Sequence, residues 1–385
     1  MKKISIPKLI VGVVFVIVMV AVLIFANQDR PTFTITDSTG TEYETARVLS
    51  VEADNSTVDE SVEGVLKGST DLKVEILTGR YKGTVSFVTN YYSSLYNVIV
   101  KEGDKVSVRI DTTGVKEFTV SIYNYNRMPL MIGLVIFFFL LLAIVGGKQG
   151  IKAFLGLVYT VICIVFILLP LSLKGFSTIP VTCVLILVTS AVCFFLIGGI
   201  QKKTITAALG SFAGVVFAAI IGQVAATIGG VTTFQMDEAE ALLLVKSNFD
   251  LHMRGLLTSG ILIASMGAVM DVSMTISSAL DEVYAQNNKL TWKELFQSGM
   301  NIGRDAMGTM ANTLVLAYVG SSLNMMVLIY SYGVSFTQLI NTDFVAIEMI
   351  RAIAGSAGII LTVPCVSLLS ALALSNAAWK TKKAK

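Results

Sequence analysis

The sequence is short of charge. Asp, Glu, Lys and Arg make up 14% of its 385 residues, whereas a soluble domain carries about 25%. Hydrophobic residues make up 54% and the mean hydropathy is +0.75, so most of the chain is expected to be solvated by membrane lipid. The net charge is only +3 and the basic residues are scattered. This composition gives no indication of a nucleic-acid partner.

The sequence also lacks the residues of common metal and catalytic sites. His252 is the only histidine, which excludes a multi-histidine zinc site within one chain. All four cysteines lie inside apolar stretches, so neither a disulfide framework nor a cysteine metal site is expected. GxxxxGK[ST], HExxH and GxSxG are absent. An intramembrane aspartyl protease needs two facing aspartates, and the one pair available, Asp271 and Asp305, is predicted to differ in depth. We therefore expect no enzymatic activity, no metal and no cofactor.

What the sequence does have is a series of long apolar stretches. Eight of them reach or approach the ~20 residues that cross a bilayer. They run over about 9–26, 129–145, 153–173, 179–200, 204–228, 256–278, 307–330 and 352–374. The first follows Lys2, Lys3 and Lys8 but offers a poor cleavage site, so it is predicted to be an uncleaved anchor rather than a signal peptide.

The distribution of basic residues predicts the orientation. With the N-terminus inside, fourteen lysines and arginines fall on the inner side and four in the short outer loops. This positive-inside bias requires an even number of spans, so both termini are predicted to be cytoplasmic. The predicted domains are an anchor (1–26), an extracytoplasmic β domain (27–128), a seven-span domain (129–379) and a basic cytoplasmic tail (380–385).

The long polar segment 27–128 has the pattern of β-strands. Apolar residues alternate with polar ones over 72–76, 105–110 and 118–122, and glycine-bearing turns separate the runs. We predict a small extracytoplasmic β-barrel of the OB-like type inserted between spans one and two. A fold of this kind does not itself indicate a ligand.

One aspartate stands out in the apolar part of the chain. Asp271 lies inside the sixth span, where a carboxylate costs roughly 2.5–3.5 kcal/mol on insertion scales. Gly260, Ala264 and Gly267 precede it at steps that place all four on one helical face. Such a stripe of small residues is predicted to meet other helices, and Asp271 becomes the candidate functional residue.

The sixth and seventh spans are both predicted to carry a polar stripe on their inner halves. Asp271 is followed on its face by Thr275 and Ser278. Asp305 comes just before the seventh span, which carries Thr309 and Asn312 on the same face. We expect Asp271 and Asn312 to face each other at matching depth. Their oxygens suit a proton or a hard cation such as Na⁺. The alternative is an interhelical hydrogen bond that only holds the two helices together.

Other candidate residues concern packing and gating. The fifth span repeats a small residue at every fourth position, including Gly210, Gly214 and Gly222. This predicts close helix contact, either static or sliding, with Gln223 beside it. Glu348 and Arg351 are three residues apart and are expected to neutralise each other. Arg304 with Asp305 forms a second candidate interface or gating pair.

Two segments resemble a known family. Residues 267–278 (GAVMDVSMTISS) and 303–318 (GRDAMGTMANTLVLAY), with 101–105 (KEGDK) in the polar segment, resemble the YibE/F-like family of bacterial membrane proteins over nearly the whole chain. The resemblance implies a multi-pass protein of the bacterial plasma membrane, with transport as the expected activity. It also directs attention to the Asp271 and Arg304–Asn312 segments.

Two functions of different classes fit the sequence. The first is ion- or proton-coupled transport of a small solute, with Asp271 carrying the coupling charge. The alternative is a non-transporting scaffold or assembly factor whose β domain binds an extracytoplasmic protein. The polar stripes and the glycine repeat favour transport, whereas the large outer domain favours a scaffold.

Overall fold

Two units make up the chain, which was analysed as a computed structural model. The backbone is described over residues 6–28, 40–60, 62–94, 96–112, 118–236, 239–248, 250–253 and 255–383, with side chains omitted at 6–15, 244, 247–248 and 376–383. One unit is Thr32–Leu141 and the other combines Met1–Pro31 with Leu142–Lys385. The predicted basic tail (380–385) lies outside the described side chains, as do Lys2, Lys3 and Lys8.

The first unit contains an antiparallel β-sheet. Its strands are β1 (Thr41–Asp54), β2 (Thr57–Val58), β3 (Leu66–Ile76), β4 (Val85–Tyr92), β5 (Lys105–Asp111) and β6 (Thr119–Tyr125). They pair in the order β2-β3-β1-β5-β6, and β4 pairs with β3. The predicted β segment is thereby confirmed as an antiparallel sheet.

The core of the sheet follows directly from the alternating sequence. Leu72, Val74 and Ile76 of β3 are fully buried, as are the apolar residues of β5. The intervening residues point away from this core, as the period of two along a strand requires. Register shifts after Val48 and after Val51 allow the long β1 to bend and to pair with both β3 and β5.

The remaining elements are helices. They are α1 (Ile6–Asn27), α2 (Met128–Cys163), α3 (Leu169–Leu173), α4 (Thr178–Gly198), α5 (Lys202–Ile228), α6 (Ala239–Asn248), α7 (Leu256–Gln286), α8 (Trp292–Ser321), α9 (Leu323–Ser331), α10 (Phe336–Ile340) and α11 (Asp343–Lys383). Among the described residues, five helices are long and apolar enough to cross a membrane, or six if α8 and α9, bent by 59°, form one span.

The first of these long helices is broken at Gly147. Met128–Leu173 includes α2, a π-helical turn and α3, and Gly147 has a φ of 53° and a ψ of −134°. A Cβ added at Gly150 would overlap the carbonyl oxygen of Leu142, although residues eight apart in a straight helix are separated by roughly 12 Å. The chain therefore turns back sharply at Gly147, between two of the predicted spans.

The helical core forms where α11 packs against α5, α7 and α8. The small residues of α5 lie in this contact. A Cβ on Gly214 would stand 1.7 Å from the Thr362 hydroxyl, and a Cβ on Gly210 would stand 2.2 Å from Val366. Gly222 lies against Ile261 and Ala354. Helix backbones can approach this closely only where side chains are absent.

The N-terminal helix packs within the same unit. Met19, Val22 and Leu23 of α1 contact the apolar cluster around Cys163 and Ile167. The Lys174 ammonium donates to the carbonyl oxygens of Phe25 and Gln28 at 2.7 and 2.5 Å. These bonds satisfy carbonyls that the end of α1 leaves without helical partners.

Candidate membrane site

Asp271 lies at the periphery of the described helix bundle, on a face of α7 that no other described helix covers. Gly260, Ala264, Gly267 and Asp271 are all exposed on one face of α7, and a Cβ added at either glycine would meet nothing within 4 Å. This differs from the prediction that the stripe packs against other helices of the chain. The opposite face of α7 packs instead, because it carries the larger side chains, among them Leu262, Val269 and Leu280, which fill the core.

Neighbouring contacts fix the relative depth of the α7 and α8 residues. A Cβ on Gly303 would meet Ile276, a Cβ on Gly299 would meet Leu280, and Gly355 lies beside both Leu314 and Ser265. Because α7 and α8 run antiparallel, each residue further along α7 lies level with a residue one position earlier in α8. The three contacts share this register, and it places Asp271 level with Gly308.

The predicted pairing of Asp271 with Asn312 is therefore shifted by about one helical turn. By the same register Asn312 is level with Gly267, and Arg304 is level with Thr275. Each of them stands about 6 Å in depth from Asp271. Within the described residues, no hydrogen bond or ion pair joins Asp271 to Asp305, Thr309 or Asn312. The reason is that α8 begins at Trp292, fifteen residues before the predicted start of the seventh span.

The polar residues of α8 form an exposed face of their own. Arg304, Asp305, Thr309 and Asn312 are exposed. The Thr309 hydroxyl donates to the Ala306 carbonyl oxygen of its own helix at 2.9 Å. In an apolar bilayer such a face needs a polar partner.

A polar cavity opens one turn from Asp271. It has a volume of about 720 Å³, and we call it the lysine cavity. Thr275 and Ser278 of α7 line it, as do Lys152 of α2 and Lys203 of α5. Asp271 does not line the cavity, but it lies one helical turn from Thr275 on the same face of α7.

A second cavity lies at the other end of the same helices. We call it the glutamine cavity, and its volume is about 570 Å³. Gln223 and Thr227 of α5, Thr258 of α7 and Ile179 of α4 line it. The Thr258 hydroxyl donates to Gln223 Oε1 at 2.8 Å. Along α7, Thr258 and Thr275 are separated by roughly 25 Å.

The helices between the two cavities are closely packed but not wholly apolar. Buried Ile186, Val215 and Met266 belong to the core in this region. Buried hydroxyls on the same helices include those of Ser190 and Ser211, which have no hydrogen-bond partner among the described residues. The region between the two cavities therefore combines closely packed apolar side chains with buried hydroxyl groups.

Three buried hydroxyls join α5, α7 and α11. Ser370 donates to Thr206 at 3.0 Å, and the hydroxyls of Thr206 and Ser277 are 2.9 Å apart. Ser277 also donates to the carbonyl oxygen of Lys203 at 2.7 Å. This network joins α5, α7 and α11 next to the lysine cavity, where Lys203 also lies.

Sequence reasoning missed most of the lysine cavity. Gln149, Lys152, Gln201 and Lys203 line it, but in the sequence the two lysines signalled only the orientation of the chain. Lys203 also pairs with Asp281 at 3.4 Å. The sequence did contain one indication of this cavity: these four residues lie near the ends of apolar stretches that are predicted to be on the same side of the membrane.

Glu348 and Arg351 form an ion pair at 2.7 Å within the first turns of α11. Their side chains are 18% and 23% exposed, so the pair is shielded from solvent more than a surface pair would be. Arg304 and Asp305 form no ion pair with any described residue; adjacent helical positions point in different directions.

We expect Arg351→Met to destabilise the protein by about 1–3 kcal/mol, because the Glu348 carboxylate would remain partly buried without its partner. Glu348→Gln combined with Arg351→Met should recover part of this loss. Thermal unfolding of the purified variants in one detergent measures both effects. Equal melting temperatures for all three proteins would show that the pair contributes nothing to stability.

An N-terminal antiparallel sheet followed by long apolar helices is the architecture of a membrane-embedded protein with a β domain. Comparison with known families then identifies the group. The chain belongs to the YibE/F-like family: the YibE/F-like protein model matches residues 134–376, and the YibE/F family N-terminal domain matches residues 41–125. This confirms the resemblance seen in the sequence. No curated protein and no solved structure matches the chain.

Proposed function

We propose that this protein is an ion- or proton-coupled transporter of a small solute in the bacterial plasma membrane. Asp271 is the proposed ion-binding residue, with Thr275 and Ser278 on the path to it. The lysine cavity faces the cytoplasm and the glutamine cavity faces the outside in this proposal. The protein acts without enzymatic chemistry.

The single observation that carries the proposal is the pair of cavities at opposite ends of α4, α5 and α7. A transporter needs one site that each side reaches in turn, with a packed barrier between the two openings. The residues between Thr258 and Thr275 supply such a barrier. Secondary transporters place their ion sites near the bilayer midplane; here Asp271 is exposed on α7 at the edge of this barrier.

Asp271 suits the coupling role because of its position. It stands about one turn beyond the lysine cavity, on a helix otherwise apolar enough to span the membrane. A carboxylate there is costly when ionised, so it gains most from binding H⁺ or Na⁺. Neutralising this charge lowers the cost of moving the site relative to the membrane.

Eight spans with both termini inside is the topology that we propose. The two halves of the helix broken at Gly147, the bent α8–α9 pair and α1 supply the spans beyond the remaining long helices. Lys148, Lys152, Lys202 and Lys203 lie near the ends of helices that meet at the lysine cavity. Their shared location supports a cytoplasmic position for that end.

An OB-like barrel is the fold that we propose for the β unit. β1 pairs with β3 and β5, β3 pairs with β4, and β5 pairs with β6. The two ends of this path, β4 and β6, approach within 8 Å between Cα atoms. Apart from the two-residue β2, the sheet has five strands and nearly closes, which is the arrangement of OB barrels.

The test is a measurement of charge movement. Purified protein in proteoliposomes on a solid-supported membrane is exposed to jumps of H⁺, Na⁺, K⁺ and a panel of small solutes, with empty liposomes as the control. We expect a transient current on a jump of H⁺ or Na⁺, enhanced by the transported solute. Silence under every condition would contradict the proposal and favour the second function below.

The second function is docking of an extracytoplasmic protein on the β domain. Val85, Phe87 and Tyr91 alternate along β4 and are exposed, with 71% of Phe87 and 74% of Tyr91 accessible. Lys73 of β3 lies 5.7 Å from the Phe87 ring centroid. Exposed aromatic residues are enriched in protein interfaces, so this face is the one to test.

Photocrosslinking in cells tests the docking function. A benzophenone amino acid at Tyr91 should give a discrete higher-mass adduct if a partner covers β4. The same group at Tyr43, which is 55% exposed on β1 and meets the Tyr123 ring edge to face, is the matched control. Identical patterns at both positions would argue against a specific partner on β4.

A further inference from the structure

The exposed polar faces of α7 and α8 are the feature that the proposed function leaves unexplained. We call this surface the α7–α8 face; it comprises Gly260, Ala264, Gly267 and Asp271 of α7 with Arg304, Asp305, Gly308, Thr309 and Asn312 of α8. All nine residues are exposed in the described chain. A Cβ added at Gly260, Gly267 or Gly308 would meet nothing within 4 Å.

Lipid acyl chains offer no hydrogen-bonding or charged partner to the polar groups of this surface. A carboxylate, a guanidinium and an amide in the apolar layer each require a polar partner. Within the described residues, neither Asp271 nor Arg304 takes part in an ion pair or a side-chain hydrogen bond. The partner must therefore come from outside this part of the chain.

Asp271 and Arg304 of the α7–α8 face are complementary between two copies, and Asp305 adds a second carboxylate beside Arg304. Asp271 is level with Gly308, and Arg304 lies one turn, about 6 Å, closer to the α7–α8 loop. A two-fold axis along the membrane normal preserves depth, so α7 of one copy meets α8 of the other with Asp271 and Arg304 within reach. The long arginine side chain spans an offset of this size. The same contact occurs twice, as an isologous interface requires.

The small residues of the face favour a helix as its cover. Gly260, Ala264 and Gly267 leave a groove on α7, and Gly308 leaves a gap on α8 at the level of Asp271. Close approach of helix backbones at such positions stabilises helix pairs in membranes. A flexible lipid headgroup would satisfy the charges but would leave these grooves unfilled.

We infer that two copies of this chain associate in the membrane through the α7–α8 face, with Asp271 of each copy paired to the partner copy's arginine at position 304. The association encloses Asp271 between two protomers. The inferred association rests on the exposure and the charges of these residues alone, so it does not depend on whether the protein transports. An absence of ion-driven current would therefore contradict the proposed transport function but not the association of two copies.

Disulfide crosslinking in membranes tests the register. In a background with Cys163, Cys183, Cys193 and Cys365 replaced by alanine, one tagged copy carries Gly267→Cys and a second, differently tagged copy carries Asn312→Cys. The register places these positions level, so oxidation should give a mixed dimer. Gly267→Cys with Asn301→Cys, displaced by about 16 Å, and Ile353→Cys, exposed on α11, should give no more than background.

A charge exchange tests the pairing by a separate readout. Asp271→Arg and Arg304→Asp should each reduce the mixed dimer to background, because like charges would meet across the interface. The double variant should restore it. Two results would overturn the inference. One is a yield of the Gly267→Cys and Asn312→Cys dimer, without charge exchange, that is no higher than the yield of the displaced controls. The other is a folded double charge variant that gives no more dimer than either folded single variant.

Discussion

Asp271→Asn should abolish ion-driven currents in proteoliposomes while leaving the protein folded. Asparagine keeps the size and hydrogen-bonding capacity of the side chain but cannot bind a proton or supply a negative charge to Na⁺. Since a neutral amide is easier to place in a membrane than a carboxylate, the single chain should stay folded, although its association with a second copy through Arg304 should weaken. We expect the peak current to fall to the level of empty liposomes.

The matched control for this prediction is Glu282→Gln. Glu282 is exposed near the end of α7, beyond the lysine cavity, and loses the same charge. Its currents should stay close to those of the original protein. If both variants conduct equally well, Asp271 does not carry the coupling ion; if both lose current, the effect is one of surface charge.

Gly214→Leu should prevent the helical unit from folding. The Cβ alone would stand 1.7 Å from the Thr362 hydroxyl and 3.0 Å from the Gly358 carbonyl oxygen. The Thr362 hydroxyl already donates to that carbonyl at 2.7 Å. To remove this steric overlap, α5 and α11 would have to separate along their main contact. Overpacking costs typically about 1–3 kcal/mol, and a backbone contact that cannot repack should exceed that range.

Fluorescence-detected size-exclusion chromatography measures this outcome. Gly214→Leu should elute mainly as aggregate, whereas Gly320→Leu should elute like the original protein, because a Cβ at Gly320 in α8 would meet nothing within 4 Å. A monodisperse Gly214→Leu protein with an unchanged melting temperature would contradict the described contact of α5 with α11.

The sequence predicted best the features that depend on local pattern. The alternation at Leu72–Ile76 identified β3, because one face of a strand is buried and the other is not. The apolar stretches predicted the long helices because length and hydropathy are properties of a single segment. The repeat of small residues in α5 indicated a close helix contact without naming α11 as the partner.

The sequence could not predict which face of α7 is buried. Asp271 and its small neighbours suggested an interior position, but Leu262 and Val269 on the opposite face fill more volume and take the core. The depth of Asn312 relative to Asp271 also differs from the prediction, because the polar first turns of α8 give no hydropathy signal and the predicted span begins after them. The lysine cavity escaped prediction since Gln149 and Lys203 meet only through tertiary packing.

In the proposed transport cycle, the two cavities open alternately to opposite sides of the membrane, and cysteine labelling can follow this directly. Thr227→Cys lies in the glutamine cavity and Ser278→Cys in the lysine cavity, each in the cysteine-free background. Labelling with an impermeant maleimide is followed in vesicles of both orientations while H⁺ and Na⁺ are varied. We expect each position to be labelled from its own side of the membrane, and the coupling ion to speed labelling at one position while slowing it at the other. Labelling of both from one side, or rates indifferent to either ion, would contradict the proposed transport cycle.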